Sequence, residues 1–269
     1  MALHMPTFLK RTGSAIVFGI IMLGGLLWNV YAFAALAALI LVLCLHEYLK
    51  LVKLITPNTY RPSWLPVAVQ LTGLAFLAAG FYSHYGANYL PALFCLPVLL
   101  VLLVGLNEKP SMATAFQGVT GLVYIVTPLV LLVEMRMQSY LLPLGLIVMI
   151  WVNDTMAYIV GSFIGKTPFS PISPKKTWEG TAGGAILTIV AAGIYGYFSA
   201  EYRIYDWMAL ALCAAVAGTA GDLLESRLKR LAGVKDSGNI MPGHGGALDR
   251  FDSLLVAAPF AYAYCYLFL

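Results

Sequence analysis

Charged residues are scarce in this sequence. Of its 269 residues only 10% are charged, whereas 61% are hydrophobic, and the mean hydropathy is +0.84. Soluble domains carry about 25% charged residues, so the composition excludes an ordinary soluble domain and indicates an integral membrane protein. Apolar runs long enough to cross a hydrocarbon core, about 17 to 25 residues each, recur throughout the chain.

Cysteine is scarce as well, and no Cys-x-x-Cys spacing occurs. Each of the four cysteines stands alone inside an apolar run: Cys44, Cys95, Cys213 and Cys265. This pattern predicts neither a disulfide framework nor a zinc site. The net charge of +4 does not indicate nucleic-acid binding, because the basic residues are distributed by membrane side.

The apolar runs predict an all-α integral membrane protein of about nine transmembrane helices with a polar cavity that faces the cytoplasm. The predicted spans are 14–30, 32–52, 64–82, 89–106, 112–134, 139–164, 181–199, 207–225 and 252–268. About five form an N-terminal region, residues 1–137, and about four form a C-terminal catalytic region, residues 138–269. The first run resembles a signal peptide, but we interpret it as an uncleaved span because many spans follow.

Basic residues are unevenly distributed between the predicted loops. With a cytoplasmic N-terminus, 14 of the 16 lysines and arginines lie on the cytoplasmic side, and Arg136 and Arg203 lie on the other. The positive-inside rule therefore predicts a multi-pass protein of the cell (inner) membrane. Its N-terminus and active site are expected in the cytoplasm and its C-terminus outside.

The most polar stretch of the chain runs from Ser226 to Ser253 and contains a Pro-Gly-His-Gly-Gly turn. It combines cations with carboxylates. Such a mixture suits an anionic substrate held by cations, with carboxylates holding metal ions on that substrate. A basic amphipathic segment lying on anionic lipid is the alternative, and it explains Lys229 and Arg230 but not the glycines, the histidine or the aspartates.

Two further polar segments precede this stretch. An Asn-Asp pair interrupts the sixth predicted span, and a carboxylate there costs about 2.5 to 3.5 kcal/mol on insertion scales. We therefore expect Asp154 to face a polar cavity, with an inter-helix hydrogen bond as the alternative. The proline-rich loop 165–180 carries Ser173, Lys175 and Lys176. For the two lysines, simple positive-inside anchoring is the alternative to a role in binding.

The helix of the eighth span is predicted to continue to Leu231, before Gly233 ends it. Four polar residues of this helix share one face at positions i, i+3, i+4 and i+7: Asp222, Glu225, Ser226 and Lys229. Small residues lie beside this stripe: Gly218, Ala220 and Gly221. Another helix or a ligand could therefore approach the backbone closely there.

The first half of the chain has few polar candidates. His46, Glu47 and His84 lie near predicted span ends. For these residues we favour interface positions or structural hydrogen bonds. We therefore expect little chemistry before about residue 137.

The polar stretch resembles the signature of a known family. Its pattern is Ser226-x-Leu228-Lys229-Arg230-x4-Lys235-Asp236-x-Gly238, then Pro242-x-His244-Gly245-Gly246, then Asp249-Arg250-x-Asp252. This pattern resembles that of the phosphatidate cytidylyltransferases, also called CDP-diglyceride synthases. The Asn-Asp-Thr segment and Ser-Pro-Lys-Lys-Thr-Trp-Glu-Gly resemble a second block of the family. Met156, Met241 and Ala247 depart from the usual residues, and the polar positions are kept.

The resemblance implies that phosphatidate and CTP react to give CDP-diacylglycerol and pyrophosphate. The expected cofactor is Mg²⁺, with room for a second cation, and the expected metal ligands are Asp222 and Asp249. The candidate catalytic residues are Asp222, Asp249, Lys229 and His244. The candidate substrate-binding residues are Asp154, Ser173, Lys175, Lys176, Ser226, Arg230, Lys235, Asp236, Gly245, Gly246, Arg250 and Asp252. We expect His244 to position a phosphate, with a general base as the alternative.

Two other classes of function use similar residues. A CTP-dependent lipid kinase of the polyprenol or phytol type also needs a metal, cations and a membrane cavity, and the signature argues against it. A polytopic transporter is the non-enzymatic alternative, and the clustering of polar residues on one side of the membrane argues against it. The expected partners are CTP, phosphatidate and membrane lipids, without nucleic acid, and a homodimer is a further option.

Overall fold

A computed structural model describes residues 5–86, 95–106, 111–240 and 245–269, with side chains from residue 13 onward. These ranges contain the helices α1 (Met5–Trp28), α2 (Val30–Ile55), α3 (Leu65–Ser83), α4 (Cys95–Gly105), α5 (Met112–Gln138), α6 (Leu141–Ile164), α7 (Trp178–Phe198), α8 (Ile204–Leu231) and α9 (Leu248–Phe268). A two-stranded antiparallel hairpin, β1 (Pro168–Ser170) and β2 (Ser173–Thr177), lies between α6 and α7.

Seven of the described helices, α2, α3 and α5 to α9, are long and apolar enough to cross a membrane. The apolar parts of the other two, Gly13–Trp28 and Cys95–Gly105, are shorter. A multi-pass helical membrane protein is therefore confirmed, whereas the count of nine spans and the polar cavity stay predictions.

The all-α prediction overlooked the hairpin. Pro171 follows Ser170 at the point where the chain reverses, and the Ser170 hydroxyl oxygen accepts the N–H of Ile172 at 3.2 Å. Proline is favoured at the second position of such a turn because its φ angle is preset. The proline-rich loop is thus an ordered hairpin rather than an irregular segment.

Helix α5 contains a π-helical turn at Leu122–Val126. The N–H of Thr127 donates to the carbonyl of Leu122, five residues earlier, and the next residue is Pro128, which has no N–H to donate. A π turn at this point accommodates the missing hydrogen bond within one continuous helix.

The described chain divides into two compact units. The N-terminal unit contains the described residues up to Gln138 together with Leu231–Arg250. Its helices approach closely at glycines. A Cβ atom on Gly121 of α5 would lie 2.9 Å from the ring of Tyr48 on α2, and one on Gly73 of α3 would lie 2.9 Å from Val126. Side chains larger than hydrogen would push these helices apart.

The C-terminal unit contains Ser139–Arg230 and Phe251–Leu269. Helices α6 and α7 approach at Gly180, where a Cβ atom would lie 2.7 Å from the carbonyl of Ala157. Helix α8 meets residues of α9 at Gly221, where a Cβ atom would clash with the carbonyl of Asp252. The close helix approach predicted from the small residues of α8 is therefore confirmed. The predicted end of this helix is also confirmed, because α8 stops at Leu231 and Gly233 has a φ of +71°.

An apolar cavity of about 270 Å³ lies within the C-terminal unit. Residues of α6, α7 and α8 line it, among them Val148, Ala192 and Trp207. Its lining carries no charged side chain, so it suits hydrocarbon rather than a nucleotide.

Candidate functional site

The hairpin is attached to the first turn of α7. The carboxylate of Glu179 accepts the backbone N–H groups of Lys166 and Thr167 at 3.1 to 3.2 Å and the Thr167 hydroxyl at 2.8 Å. The ring of Phe169 contacts that of Trp178 edge to face, with centroids 4.5 Å apart. These contacts hold β1 and the residues before it against α7, and β1 is paired with β2, which carries Ser173.

Strand β2 presents two lysines in different surroundings. The side chain of Lys175 is exposed. Lys176 is half-buried, and its ammonium lies 2.6 Å from Oδ2 of Asp222 on α8. Two of the predicted site residues are therefore brought together, and a role of Lys176 in binding stays a prediction.

Two more carboxylates belong to this group, which we call the carboxylate–lysine cluster: Asp154, Lys176, Asp222 and Asp252. Asp222 and Asp154 are near enough to act electrostatically on the Asp252 carboxylate with the same sign, and Lys176 acts with the opposite sign. Asp252 is 9% exposed, whereas Asp154 is exposed on α6. Carboxylates outnumber ammonium groups in this cluster, and carboxylate oxygens are groups that bind cations.

Asn153 precedes Asp154 in the sequence, but it is buried whereas Asp154 is exposed. Asn153 is 4% exposed, and its side-chain oxygen has no hydrogen-bond partner among the described residues. Buried polar atoms without a partner are uncommon and call for an explanation. An acceptor of this kind can bind a ligand donor or a cation, and sequence reasoning did not single it out.

Lys229 is held by a buried partner on its own helix. Its ammonium lies 2.6 Å from Glu225 Oε2, with the Glu225 side chain fully buried and the Lys229 side chain 12% exposed. The i, i+4 spacing of a glutamate and a lysine is the sequence signal for such a pair. Glu225 was assigned to the polar stripe but not to the site, although it fixes the position of a predicted catalytic lysine.

The remaining predicted residues of this region lie nearer to solvent. Ser226 is half-buried, and the side chains of Arg230, Lys235, Asp236 and Arg250 are exposed. Exposed cations suit contact with a ligand that arrives from water. Their predicted roles stay predictions.

In the N-terminal unit, Asp249 is oriented by the segment 232–247 that precedes α9, which we call the signature loop. Its Oδ2 atom accepts the N–H of Ser237 at 2.9 Å and the N–H of Gly246 at 2.7 Å, and it lies 2.9 Å from the Ser237 hydroxyl oxygen, whose one proton it shares with Glu47. Gly245 has a φ of +81°, and a Cβ atom there would clash with the Asp249 carboxylate. Glycine at 245 thus allows Asp249 to fold back onto the loop.

Gly245 and Gly246 of the Pro-Gly-His-Gly-Gly turn were predicted to bind substrate. In the described part of that turn, the Gly246 N–H donates to Asp249, so the chain itself supplies an anion there. Binding of a substrate phosphate by Gly245 and Gly246 stays a prediction. His244 lies outside the described residues.

For Glu47 of α2 the sequence predicted no role in the site. Glu47 is 2% exposed, and its carboxylate accepts the Ser237 hydroxyl at 2.7 Å, the Ala247 N–H at 3.0 Å and the Leu248 N–H at 2.9 Å. Structural hydrogen bonds were among the roles favoured for Glu47. The expectation of little chemistry in the first half nevertheless missed a direct contact with the signature loop. By contrast, His46 and His84 are exposed.

Comparison with known proteins agrees with the signature. The model of the cytidylyltransferase family matches residues 9–268. The chain belongs to the cytidylyltransferase family. The resemblance drawn from the signature is therefore confirmed, and the match extends through the first half, where the sequence motifs gave no indication of family.

Individual members of the cytidylyltransferase family differ in how much of the chain they match. The phosphatidate cytidylyltransferase of Synechocystis sp. is 33% identical over an alignment that covers 96% of this chain and 94% of that protein. That of Bacillus subtilis is 50% identical over 117 residues, or 43% of this chain and 44% of that protein. That of Haemophilus influenzae is 41% identical over 128 residues, or 45% of this chain and 44% of that protein. The last two alignments span less than half of either relative.

The predicted metal ligands are Asp222 and Asp249. Among residues 5–86, 95–106, 111–240 and 245–269, no group of three or more His, Cys, Asp or Glu side chains is arranged to hold a metal ion. Magnesium is commonly bound by one or two carboxylates together with substrate phosphates. Binding of magnesium stays a prediction.

Proposed function

We propose that this chain transfers CMP from CTP to phosphatidate, giving CDP-diacylglycerol and pyrophosphate for phospholipid synthesis. The observation that carries the proposal is the family match over residues 9–268, together with full-length similarity to a phosphatidate cytidylyltransferase. In this reaction a phosphatidate oxygen bonds to the α-phosphorus of CTP. The bond from that phosphorus to the bridging oxygen breaks, and pyrophosphate leaves with the electron pair.

The cations of the C-terminal half supply the charge that this reaction needs. Pyrophosphate and phosphatidate are both anionic, and cations that neutralise them stabilise the transferring phosphoryl group. The residues proposed to contact phosphates are Lys175, Lys176, Lys229, Arg230, Lys235 and Arg250. The contacts of Lys176 with Asp222 and of Lys229 with Glu225 support this role, because each contact fixes the position of an ammonium group.

Magnesium is the proposed cofactor, and a second cation is compatible with the charge of the carboxylate–lysine cluster. The proposed ligands are Asp222 and Asp249. The Asp222 carboxylate already attracts one cation, the Lys176 ammonium at 2.6 Å, and this supports its role as a ligand of a metal ion. When bound, magnesium would neutralise the triphosphate and favour the departure of pyrophosphate. Asp252 and Asp154 add negative charge near Asp222.

The proposed reaction needs no general base. A phosphate monoester is already ionised at neutral pH, so no proton has to leave the attacking oxygen. We therefore propose that His244 positions a phosphate rather than removing a proton. The other proposed substrate contacts are Asp154, Ser173, Ser226, Asp236, Gly245, Gly246 and Asp252.

The proposal is tested by the fate of the two labelled phosphates of CTP. Purified protein is given phosphatidate, magnesium and CTP labelled in either the α or the γ position. We expect α label in the chloroform phase as a CMP-bearing lipid and γ label in pyrophosphate.

Transfer of the γ label to an alcohol lipid would instead establish a CTP-dependent lipid kinase. Absence of transfer from either position, over several lipid phosphates, would contradict both enzymatic functions and favour a transporter.

The proposed location is the cell (inner) membrane, with the N-terminus and the site in the cytoplasm and the C-terminus outside. The distribution of basic residues supports this orientation. Cysteines introduced singly at Asn239, which is exposed, and next to Leu269 test it in a variant lacking Cys95. In intact cells an impermeant thiol reagent should label only the second, and the reverse result would contradict the orientation.

A homodimer is the proposed oligomeric state. Its test is the mass of the protein in detergent by light scattering with the detergent contribution subtracted. A mass near 29.1 kDa for the protein part would contradict it.

A further inference from the structure

Glu47 is an unusual residue for a buried position in a predicted membrane span. It is a carboxylate with 2% of its surface exposed on α2, one of the helices apolar enough to cross a membrane. Burying a carboxylate without partners would cost several kcal/mol. Hydrogen bonds can compensate a buried carboxylate for its lost solvation, so the hydrogen-bond partners of Glu47 indicate which part of the protein it stabilises.

Among the residues that the structure describes, the hydrogen-bond partners of Glu47 lie in the signature loop and at the start of α9. Oε1 accepts the Ala247 N–H, and Oε2 accepts the Leu248 N–H and the Ser237 hydroxyl. The first N–H groups of a helix have no partner within the helix and favour negative charge. Glu47 therefore caps α9 from about 200 residues away in sequence.

Two glycines of the loop make this contact possible. A Cβ atom on Gly238 or on Gly246 would collide with the Glu47 carboxylate. Gly238 and Gly246 thus pack directly against Glu47, and close packing rather than flexibility explains glycine at these two positions. Ser237, which precedes Gly238 and donates its hydroxyl to Glu47, is 3% exposed.

Ser237 connects Glu47 to the proposed metal ligand. Its hydroxyl oxygen lies 2.7 Å from Oε2 of Glu47 and 2.9 Å from Oδ2 of Asp249, and its N–H donates to Asp249. Glu47 holds Ser237 and the first residues of α9, and these groups hold Asp249. The orientation of Asp249 therefore depends on a residue of the first half of the chain.

We propose that Glu47 is a positioning residue, which orients Asp249 for CMP transfer by holding Ser237 and the first turn of α9. The inference rests on the proposed function of the chain. Glu47 does not touch substrate in this role; it acts through the loop. Both of its oxygens accept hydrogen bonds, so glutamine is a poor substitute, because its NH₂ group would face an N–H or would reverse the Ser237 hydrogen bond.

The test compares Glu47→Gln with His46→Gln, a change at the exposed neighbouring residue of the same helix. For Glu47→Gln we expect kcat to fall on the order of 10- to 100-fold, with the KM for CTP changed less than about threefold. Glu47→Asp keeps the charge and should recover part of the loss. His46→Gln should retain the wild-type kcat and KM. All values are calculated per folded molecule, so that a loss of folded protein alone would leave kcat unchanged.

A second measurement does not depend on activity. Hydrogen exchange of the Ala247 and Leu248 amides should be slow in the wild type and in His46→Gln, and at least about tenfold faster in Glu47→Gln. Wild-type kcat or unchanged exchange in folded Glu47→Gln would overturn the inference. If Glu47→Gln does not fold, Ser237→Ala takes its place, with an expected kcat loss of about 3- to 10-fold, and an unchanged kcat would again overturn it.

Failure of the proposed function is seen separately. A wild-type protein that forms no CMP-bearing lipid would overturn the proposed function and, with it, a positioning role in that reaction. The exchange measurement would still report whether Glu47 holds the loop.

Discussion

Carboxylates in the two units are stabilised by different kinds of group. In the C-terminal unit, Asp222 and Glu225 each lie 2.6 Å from a lysine ammonium. In the N-terminal unit, Glu47 and Asp249 accept backbone N–H groups and the Ser237 hydroxyl. A lysine side chain can move from one anion to another, whereas a backbone N–H is held by the fold. The first arrangement suits exchange with substrate phosphates, and the second suits a carboxylate whose orientation has to be fixed.

The two lysine pairs also differ from each other in burial. The Lys176 and Asp222 side chains are 31% and 28% exposed, so solvent screens their attraction and the pair adds little stability. The Glu225 side chain is fully buried beside Lys229, so breaking that pair would leave a charge in an apolar environment. Burial therefore predicts that the Glu225–Lys229 pair contributes to stability, whereas the Lys176–Asp222 pair contributes little.

The largest expected effect comes from removing the charge of a proposed metal ligand. Asp222→Asn and Asp249→Asn should each abolish measurable CMP transfer, because the substrate charge is no longer neutralised. In Asp249→Asn the introduced amide oxygen can still accept the Ser237 and Gly246 N–H groups, so folding should be retained. Activity and thermal unfolding in detergent are measured together, with Glu201→Gln, a change at an exposed residue, as the control.

Near-normal activity of either variant at ordinary magnesium concentration would show that the residue is no essential ligand. Loss of activity with loss of folding in Asp249→Asn alone would indicate that its loop contacts, rather than its charge, are what the protein needs.

The next largest effect is expected for the buried pair on α8. Lys229→Met leaves the Glu225 charge without its lysine, and the free energy of unfolding should fall by about 3 kcal/mol. The double variant Lys229→Met with Glu225→Leu replaces the pair by apolar groups and should recover most of that loss. Both variants should lack activity, because the proposed phosphate contact is gone.

Chemical denaturation in detergent measures these stabilities, and Arg227→Gln, on the same helix but exposed, is the matched control. A double variant as unstable as Lys229→Met would contradict the view that the unpaired charge causes the loss.

The smallest stability effect is expected for the half-exposed pair. Lys176→Met should lower the free energy of unfolding by less than about 1 kcal/mol. Its kcat/KM for CTP should nevertheless fall about 10- to 100-fold, because Lys176 is a proposed phosphate contact. Lys166→Met, at an exposed lysine just before the hairpin, should change neither quantity. An unchanged kcat/KM in Lys176→Met would contradict a role of Lys176 in binding CTP and favour simple positive-inside anchoring.

Much of the helical framework could be predicted because a membrane span is a local property of the sequence. Helix α3, Leu65–Ser83, begins and ends within one residue of the predicted span 64–82. Helix α7 begins at Trp178, earlier than predicted, because the Thr177 side chain accepts the Gly180 N–H and caps it. The hairpin was not predicted, because strand pairing of a short proline-rich loop leaves no apolar run or alternation to detect.

The candidate site was predictable only in part. The i, i+4 spacing of Glu225 and Lys229 indicated a shared face, and the structure makes it an ion pair. No spacing links Lys176 to Asp222, because they lie on a strand and a helix far apart in sequence. Asn153 and Asp154 are neighbours in sequence, yet the first is buried and the second exposed, since adjacent residues of a helix point in different directions.

The membrane class, the positions of most helices and the family to which the polar signature belongs follow from the order of residues alone, because apolar runs and fixed polar spacings are local. Which charges are partnered follows only from the folded chain. Glu47 and Ser237 are 190 residues apart, and the sequence around a glutamate in an apolar helix does not indicate which loop will contact it. A hydrogen bond depends on distances of about 3 Å between atoms, and only the packing of the helices brings those atoms together.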